Sequence, residues 1–361
     1  MKTKTTRRIY IYILILCLLV FSIILFVSLN HAENDTIDDN LICQSAQRAV
    51  NYLRRLQHDN GQIILVNYKV FNVWETIQAA RAISLWQNKT DLKRHPILQS
   101  ALTFLKNSET SFGMVLHNSD HKNSYCIETS SEYIRLLAFL ENRNTIEHGV
   151  AGKKASYMKS KQLPSGAWRI ESSAIPEYLQ RFPSVTGFAL GALASTNTAP
   201  LDLDAALQYL KESQNEEGHW GIVWQYYGTP YYAMAPILEA MHYHNADSSF
   251  DAVINKAKNF LLASQRKDGS FSYKSEKNQN RPSVELETTL GLRSLLSCNA
   301  GCDDIGIKRG INWLLRNQRK DGSWNGGIFP LPNPRYKKKE DIFCTSQVLI
   351  LLYEYLNIKD K

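Results

Sequence analysis

Five of six apolar segments in this chain open on an acid, a hydroxyl residue or both. These openings are Glu75-Thr76, Glu128-Thr129, Val185-Thr186, Val284-Glu285-Leu286-Glu287-Thr288-Thr289, and Asp341 with Thr345. A carboxylate at such a place can hold a cation or an amine, or share a proton. It also suits the positive end of a helix dipole, and a Thr with an acid three or four residues away suits a capping box. Aromatic residues cluster around the same openings: Trp74, Tyr125, Tyr133, Tyr226, Tyr227, Tyr231, Tyr232 and Phe343. Their faces can attract a cation, at about 0.5–2 kcal/mol each, line a lipid pocket or fill a core.

Other chemistries lack their residues. His117, Asp120, His121 and Cys126 form a loose polar cluster, and Asp341 with Cys344 a second one. Neither has the ligand count of a zinc centre, so no metal and no cofactor is expected. Cys298 and Cys302 could close a small disulfide loop or stay as two thiols. Net charge is +8, and no nucleic-acid motif accompanies it.

The elements that position these residues come from a repeat. The strings YLKESQNEEGHWGI (209–222), FLLASQRKDGSFSY (260–273) and WLLRNQRKDGSWNG (313–326) share one pattern, with YMKSKQLPSGAWRI (157–170) and YLRRLQHDNGQIIL (52–65) as further copies. Each has a Gln, a Gly four residues on and, in all but the copy at 52–65, an aromatic six residues on. Gln162, Gln214, Gln265 and Gln318 follow one another at 52, 51 and 53 residues, whereas Gln57 precedes Gln162 by 105. A degenerate sixth copy is therefore expected near 108, with Phe112 in the aromatic role. An amphipathic helix precedes each turn, as Ile307, Ile311, Leu314 and Leu315 show, and Gly ends it. A more apolar helix follows, over 73–86, 126–140, 184–195, 230–243, 283–297 and 341–356. Being apolar nearly all round, these six should form a buried inner ring.

The QxxDGSW repeats resemble the QW motifs of squalene–hopene cyclases, and the openings at 284–289 and 343–346 resemble those cyclases and protein prenyltransferase β subunits. The resemblance covers 44–361. It implies an all-α, (α/α)6 toroid with six inner and six outer helices around an apolar cavity. It also aligns Glu287 with the proton donor of the cyclases' DxDD motif, with Glu285 tuning it and Thr288 where the last Asp stands; the motif itself is absent. Cavity residues expected on this basis are Trp74, Glu75, Glu128, Tyr133, Tyr231, Tyr232, Asp341 and Phe343. Three functions remain open: an isoprenoid cyclase or isomerase, a non-catalytic toroid binding a lipid or peptide, and an extracellular carbohydrate-active toroid. The expected partner is an apolar small molecule or lipid. The basic loop at 334–339 could attract phosphate or anionic headgroups.

Residues 1–32 differ from the rest. Lys2, Lys4, Arg7 and Arg8 precede an uncharged apolar run from Ile9 to Leu29, long enough to span a bilayer. A cleaved signal peptide ending near Ala32 is the alternative. With Glu33, Asp35, Asp38 and Asp39 after the run, the basic end stays cytoplasmic and the C-terminal domain lies outside or in a lumen. The expected order is a stub and anchor over 1–32, a linker over 33–43, and the toroid over 44–361.

Overall fold

The computed structural model describes residues 37–65, 71–87, 92, 95–120, 124–171, 182–221, 228–244, 248–273, 282–299, 301, 303–330 and 337–359. The expected span over 9–29 lies outside the described residues, as do Tyr226, Tyr227, His121, Cys302 and positions 334–336 of the basic loop. Among the described residues no helix is long and apolar enough to cross a membrane.

Twelve helices are described, and they alternate in character. The odd-numbered ones are α1 (Asp39–Arg55), α3 (Pro96–Asn107), α5 (Val150–Lys159), α7 (Leu203–Glu212), α9 (Asp251–Ser264) and α11 (Ile305–Arg316). Each buries one face only; α11 buries Ile307, Gly310, Ile311, Leu314 and Leu315. The even-numbered ones are α2 (Asn72–Leu85), α4 (Ile127–Asn142), α6 (Pro183–Ser195), α8 (Tyr231–His244), α10 (Val284–Ser297) and α12 (Asp341–Lys359). These are buried nearly all round; α10 is buried from Leu286 to Leu296. Each even helix packs on the next, and α12 packs back on α2, so the inner ring closes. This is the expected inner and outer arrangement, with inner-helix ends within three residues of the sequence reading. The first helix begins at Asp39, so residues 39–43 are helical. Two short strands, β1 (Ile328–Pro330) and β2 (Lys337–Lys339), pair antiparallel just before α12.

The repeated Gln explains how neighbouring units join. Its amide donates to the carbonyl of its own turn glycine and to a carbonyl in the N-terminal part of the next outer helix or just before it. Gln162 Nε2 reaches Gly166 O at 3.1 Å and Asp202 O at 2.6 Å. Gln214 reaches Gly218 and Val253, and Gln265 reaches Gly269 and Gly306. The last turn closes the circle, since Gln318 Nε2 bonds both Gly322 O and Ser45 O at 2.9 Å. The turn glycines have positive φ and press on the next outer helix; a Cβ on Gly322 would stand 2.4 Å from Arg48 O. The aromatic that follows locks the unit internally. Trp168, Trp220 and Trp324 each donate their indole N–H to the carbonyl ten residues earlier, at 2.7–2.8 Å.

The second unit departs from the expected pattern. Phe112 is 57% exposed and stacks on Tyr157, so it does not fill the aromatic role. The register lies one residue later: Glu109 stands at the Gln place, Gly113 is the positive-φ glycine, and buried Val115 replaces the aromatic. Glu109 pairs with Lys154 of the next outer helix at 2.8 Å, so an ion pair joins units where an amide does elsewhere.

Candidate active site and cavity

A hydroxyl near the start of most inner helices ties it to its own turn. It accepts the backbone N–H of the residue six after the Gln place: Thr76 from Ile63, Ser130 from Val115, Thr186 from Trp168, Thr288 from Phe271, Thr345 from Trp324. Thr288 therefore serves as a strut at a position filled alike in four other units. These struts fix the rotation of five inner helices; in α8 the matching place holds the buried Met234. Three registers then recur around the ring, and twelve of their eighteen residues line the cavity. Two residues before the strut stand Trp74, Glu128, Ser184, Tyr232, Leu286 and Phe343. Two after it stand Gln78, Glu132, Phe188, Pro236, Leu290 and Gln347, and five after it Arg81, Arg135, Gly191, Glu239, Arg293 and Ile350. Steps of four and three residues return to one helical face, as facing the axis demands.

The cavity between these layers holds about 320 Å³ of open space, mouth included. At one end four rings form a girdle: Trp74 to Phe343 at 5.7 Å, Phe343 to Tyr232 at 6.2 Å, Tyr232 to Phe188 at 5.9 Å and Phe188 to Trp74 at 6.4 Å. Tyr232 donates its hydroxyl to Glu128. Burial, with help from the charge of Glu132, pushes the Glu128 carboxyl up to about 8, so it is neutral at pH 7.

The other end is a buried charge network. Arg81 meets Glu132 at 2.5 Å, Arg135 takes Glu239 through Nη1 and Nη2, and Arg293 takes Glu354 through Nε and Nη2. Arg293 also donates to Gln347 at 2.6 Å, Gln347 to Gln78 at 2.8 Å, and Gln78 to Glu132 at 3.3 Å. Burial would raise both buried acids. The arginines outweigh it, holding Glu132 and Glu239 below the usual carboxylate range.

The structure sorts the sequence candidates. Trp74, Tyr232 and Phe343 line the cavity, and Glu128 bonds Tyr232 beside them. Glu75 and Glu287 are buried one residue before their struts, off the axial face, and neither lines the cavity. Glu287 instead accepts the Tyr273 N–H at 3.2 Å. Ser283 caps α10 by accepting the Leu286 N–H, and Glu285 lies in the first turn of that helix. Asp341 accepts Gly326 N–H and pairs with Arg319 at 2.8 Å. Tyr133 donates to Glu109, and Tyr231 packs on Phe271. Among the described residues no group of three or more His, Cys, Asp or Glu is arranged for a metal, and Cys298 is a buried free thiol. Sequence reasoning missed Gln78, Glu132, Arg135, Phe188, Glu239, Arg293 and Gln347. The available signal was a charged residue five places after the strut in four otherwise apolar helices.

Comparison with known proteins agrees with this architecture. A family model described as the squalene-hopene cyclase C-terminal domain matches residues 180–333, and one described as the prenyltransferase alpha-alpha toroid domain matches residues 15–157. The two matches fall on separate parts of the chain, and both are to α/α toroids of the squalene–hopene cyclase and prenyltransferase kind, which this chain resembles. Lanosterol synthase of Candida albicans is 31% identical over 128 residues, which is 34% of this chain and 17% of that enzyme. Squalene–hopene cyclase of Zymomonas mobilis is 31% identical over 144 residues, 36% of this chain and 21% of that protein. The match spans about a fifth of these relatives' length. The type II terpene cyclase MstE from Scytonema shares the fold at a TM-score of 0.69 and 17% identity, covering 88% of this chain and 99% of that one. A possible member of the GH105 family from Salmonella enterica does so at 0.58 and 12%, covering 89% and 95%.

Proposed function

We propose that this protein is a terpene-cyclase-like toroid that binds an isoprenoid or similarly apolar ligand in its axial cavity. The observation that carries this reading is the girdle of Trp74, Phe188, Tyr232 and Phe343 around one narrow cavity. Four aromatic faces give a slender unsaturated chain dispersion contacts and exclude water. A solved complex of MstE with geranylgeranyl dihydroxybenzoate supports the ligand class by likeness of fold. The run over 9–29 would anchor the toroid, with the four basic residues before it on the cytoplasmic side.

Binding is favoured over proton-initiated cyclisation. An alkene is a very weak base, so its proton donor must be both protonated and strongly acidic. The Glu128 carboxyl, pushed up to about 8, meets the first requirement and fails the second. Glu287, the donor implied by sequence resemblance, does not line the cavity. The test is retention of a radiolabelled polyprenyl compound by the purified full chain, followed by analysis of what is recovered. Unchanged recovery is expected, with retention cut about tenfold in Trp74→Ala and Phe343→Ala, the equivalent of about 1.4 kcal/mol. A cyclised product would establish catalysis instead. Retention unaffected by both substitutions would place the ligand elsewhere. Alkaline carbonate extraction tests the anchor, since release into the soluble fraction refutes it.

A further inference from the structure

The two ends of the cavity make different demands on whatever fills it. The aromatic girdle suits a hydrocarbon; the opposite end does not. There Arg81, Arg135 and Arg293 stand with Glu132, Glu239 and Glu354, three charges of each sign. Arg135 and Arg293 are each held through two nitrogens by a carboxylate, and Arg81 holds Glu132. The network also closes through the Gln347 and Gln78 amides, so the charges are balanced around the circle.

Charge balance decides what this end accepts. A diphosphate placed against Arg135 and Arg293 would stand beside Glu132 and Glu239 and would have to break buried pairs to gain new ones. An ammonium group would meet the arginines in the same way. A bare hydrocarbon end would cover the N–H donors that the network leaves over, since Arg81 spends one and Arg135 two of a guanidinium's five on side-chain acceptors. The group that fits is uncharged and both donates and accepts. We infer that the cavity selects a neutral, hydroxyl-terminated isoprenoid or an amphiphile built alike, its chain in the girdle and its hydroxyl between Arg135, Arg293 and Glu239. Gly191, the one glycine at the charged register, lets the Arg135 guanidinium lie close to its helix, since a Cβ there would stand 3.3 Å from Arg135 Nη1.

This inference rests on the reading of the cavity as an isoprenoid site, and the experiment separates the two. The full chain in lipid nanodiscs is offered geranylgeraniol, geranylgeranyl diphosphate or a saturated hydrocarbon of equal length, with empty nanodiscs as the partition reference. Ligand retained after washing is measured by mass spectrometry. The alcohol should be retained at least tenfold more than either of the others. Equal or preferred retention of the diphosphate or the hydrocarbon overturns the inference and leaves the site reading intact. Retention of none of the three overturns both. Glu239→Gln removes one negative charge from the network, so it should raise retention of the diphosphate relative to the alcohol at least tenfold. A cooperatively melting Glu239→Gln chain with unchanged selectivity also overturns the inference.

Discussion

The collar of turns and the axial cavity are built from the same six units and follow opposite rules. In the collar, equivalent positions do equivalent work: Gln162, Gln214, Gln265 and Gln318 make the same two hydrogen bonds. Along the axis, equivalent positions diverge, so that one layer holds Trp74, Glu128, Ser184, Tyr232, Leu286 and Phe343. A collar carries the same load at every joint, and one solution serves each. A ligand has no sixfold symmetry, so a cavity that recognises one must differ around the ring. Recurrence here marks mechanical work, and its loss at axial positions marks recognition.

The largest expected effect lies in the collar. Trp324→Ala should cost about 3–5 kcal/mol, the usual range for a buried large aromatic, because its ring is fully buried and its N–H bonds Leu314 O. Chemical denaturation measures it, and a melting profile matching the parent would show that the Trp is not a clamp. An axial change should act with the opposite sign. Glu128 has a folded-state value of about 8, above its ordinary one, so the native state binds the extra proton. Stability from this group is therefore greatest at low pH and falls as pH rises from about 4.5 through 8. Glu128→Gln should remove that loss, adding about 3 kcal/mol at pH 7 by order of magnitude, and flatten the decline towards pH 8. A parallel decline in parent and variant would show that Glu128 does not titrate there.

Smaller effects probe single joints. Gln318→Ala strips one bond from each of the Ser45 and Gly322 carbonyls and should cost about 1–3 kcal/mol. Because the joint is remote from the girdle, ligand retention by the folded chain should not change. The smallest effect is expected in the divergent second unit. Lys154→Met should cost about 1–2 kcal/mol by leaving Glu109 without its cation. Adding Glu109→Gln should recover most of it by restoring the amide joint. If the double variant is no more stable than the single one, ion pair and amide are not equivalent joints.

The collar was legible in the sequence because its residues recur at fixed intervals and each has one geometric task. The inner helices were legible because they are apolar all round. Where the register slipped, legibility failed: Phe112 looked like the missing aromatic, yet Gly113 sets the turn and Val115 takes the buried place. The site was legible only at helix starts. Trp74, Tyr232 and Phe343 reach the axis, whereas Glu287, one residue later in its helix than that layer, is turned towards Tyr273. Motif likeness gives the level of a residue along a helix. Which way it faces depends on the strut, and the strut shows itself only when turn and helix are seen together.

The bonds from Gln318 to Ser45 join residues 273 apart, so the first outer helix waits for the last turn. At about 5–20 residues per second, a ribosome takes roughly 14–55 s to deliver that partner. Until then the growing chain is an open arc with an unpaired edge at each end, and the free flank of α2 is the place where α12 will later pack. Premature termination late in the message is therefore no milder than an early one. A chain ending at 306 lacks only the final sixth of the ring, yet it should remain an arc with both edges exposed, a substrate for quality control rather than a slightly smaller protein.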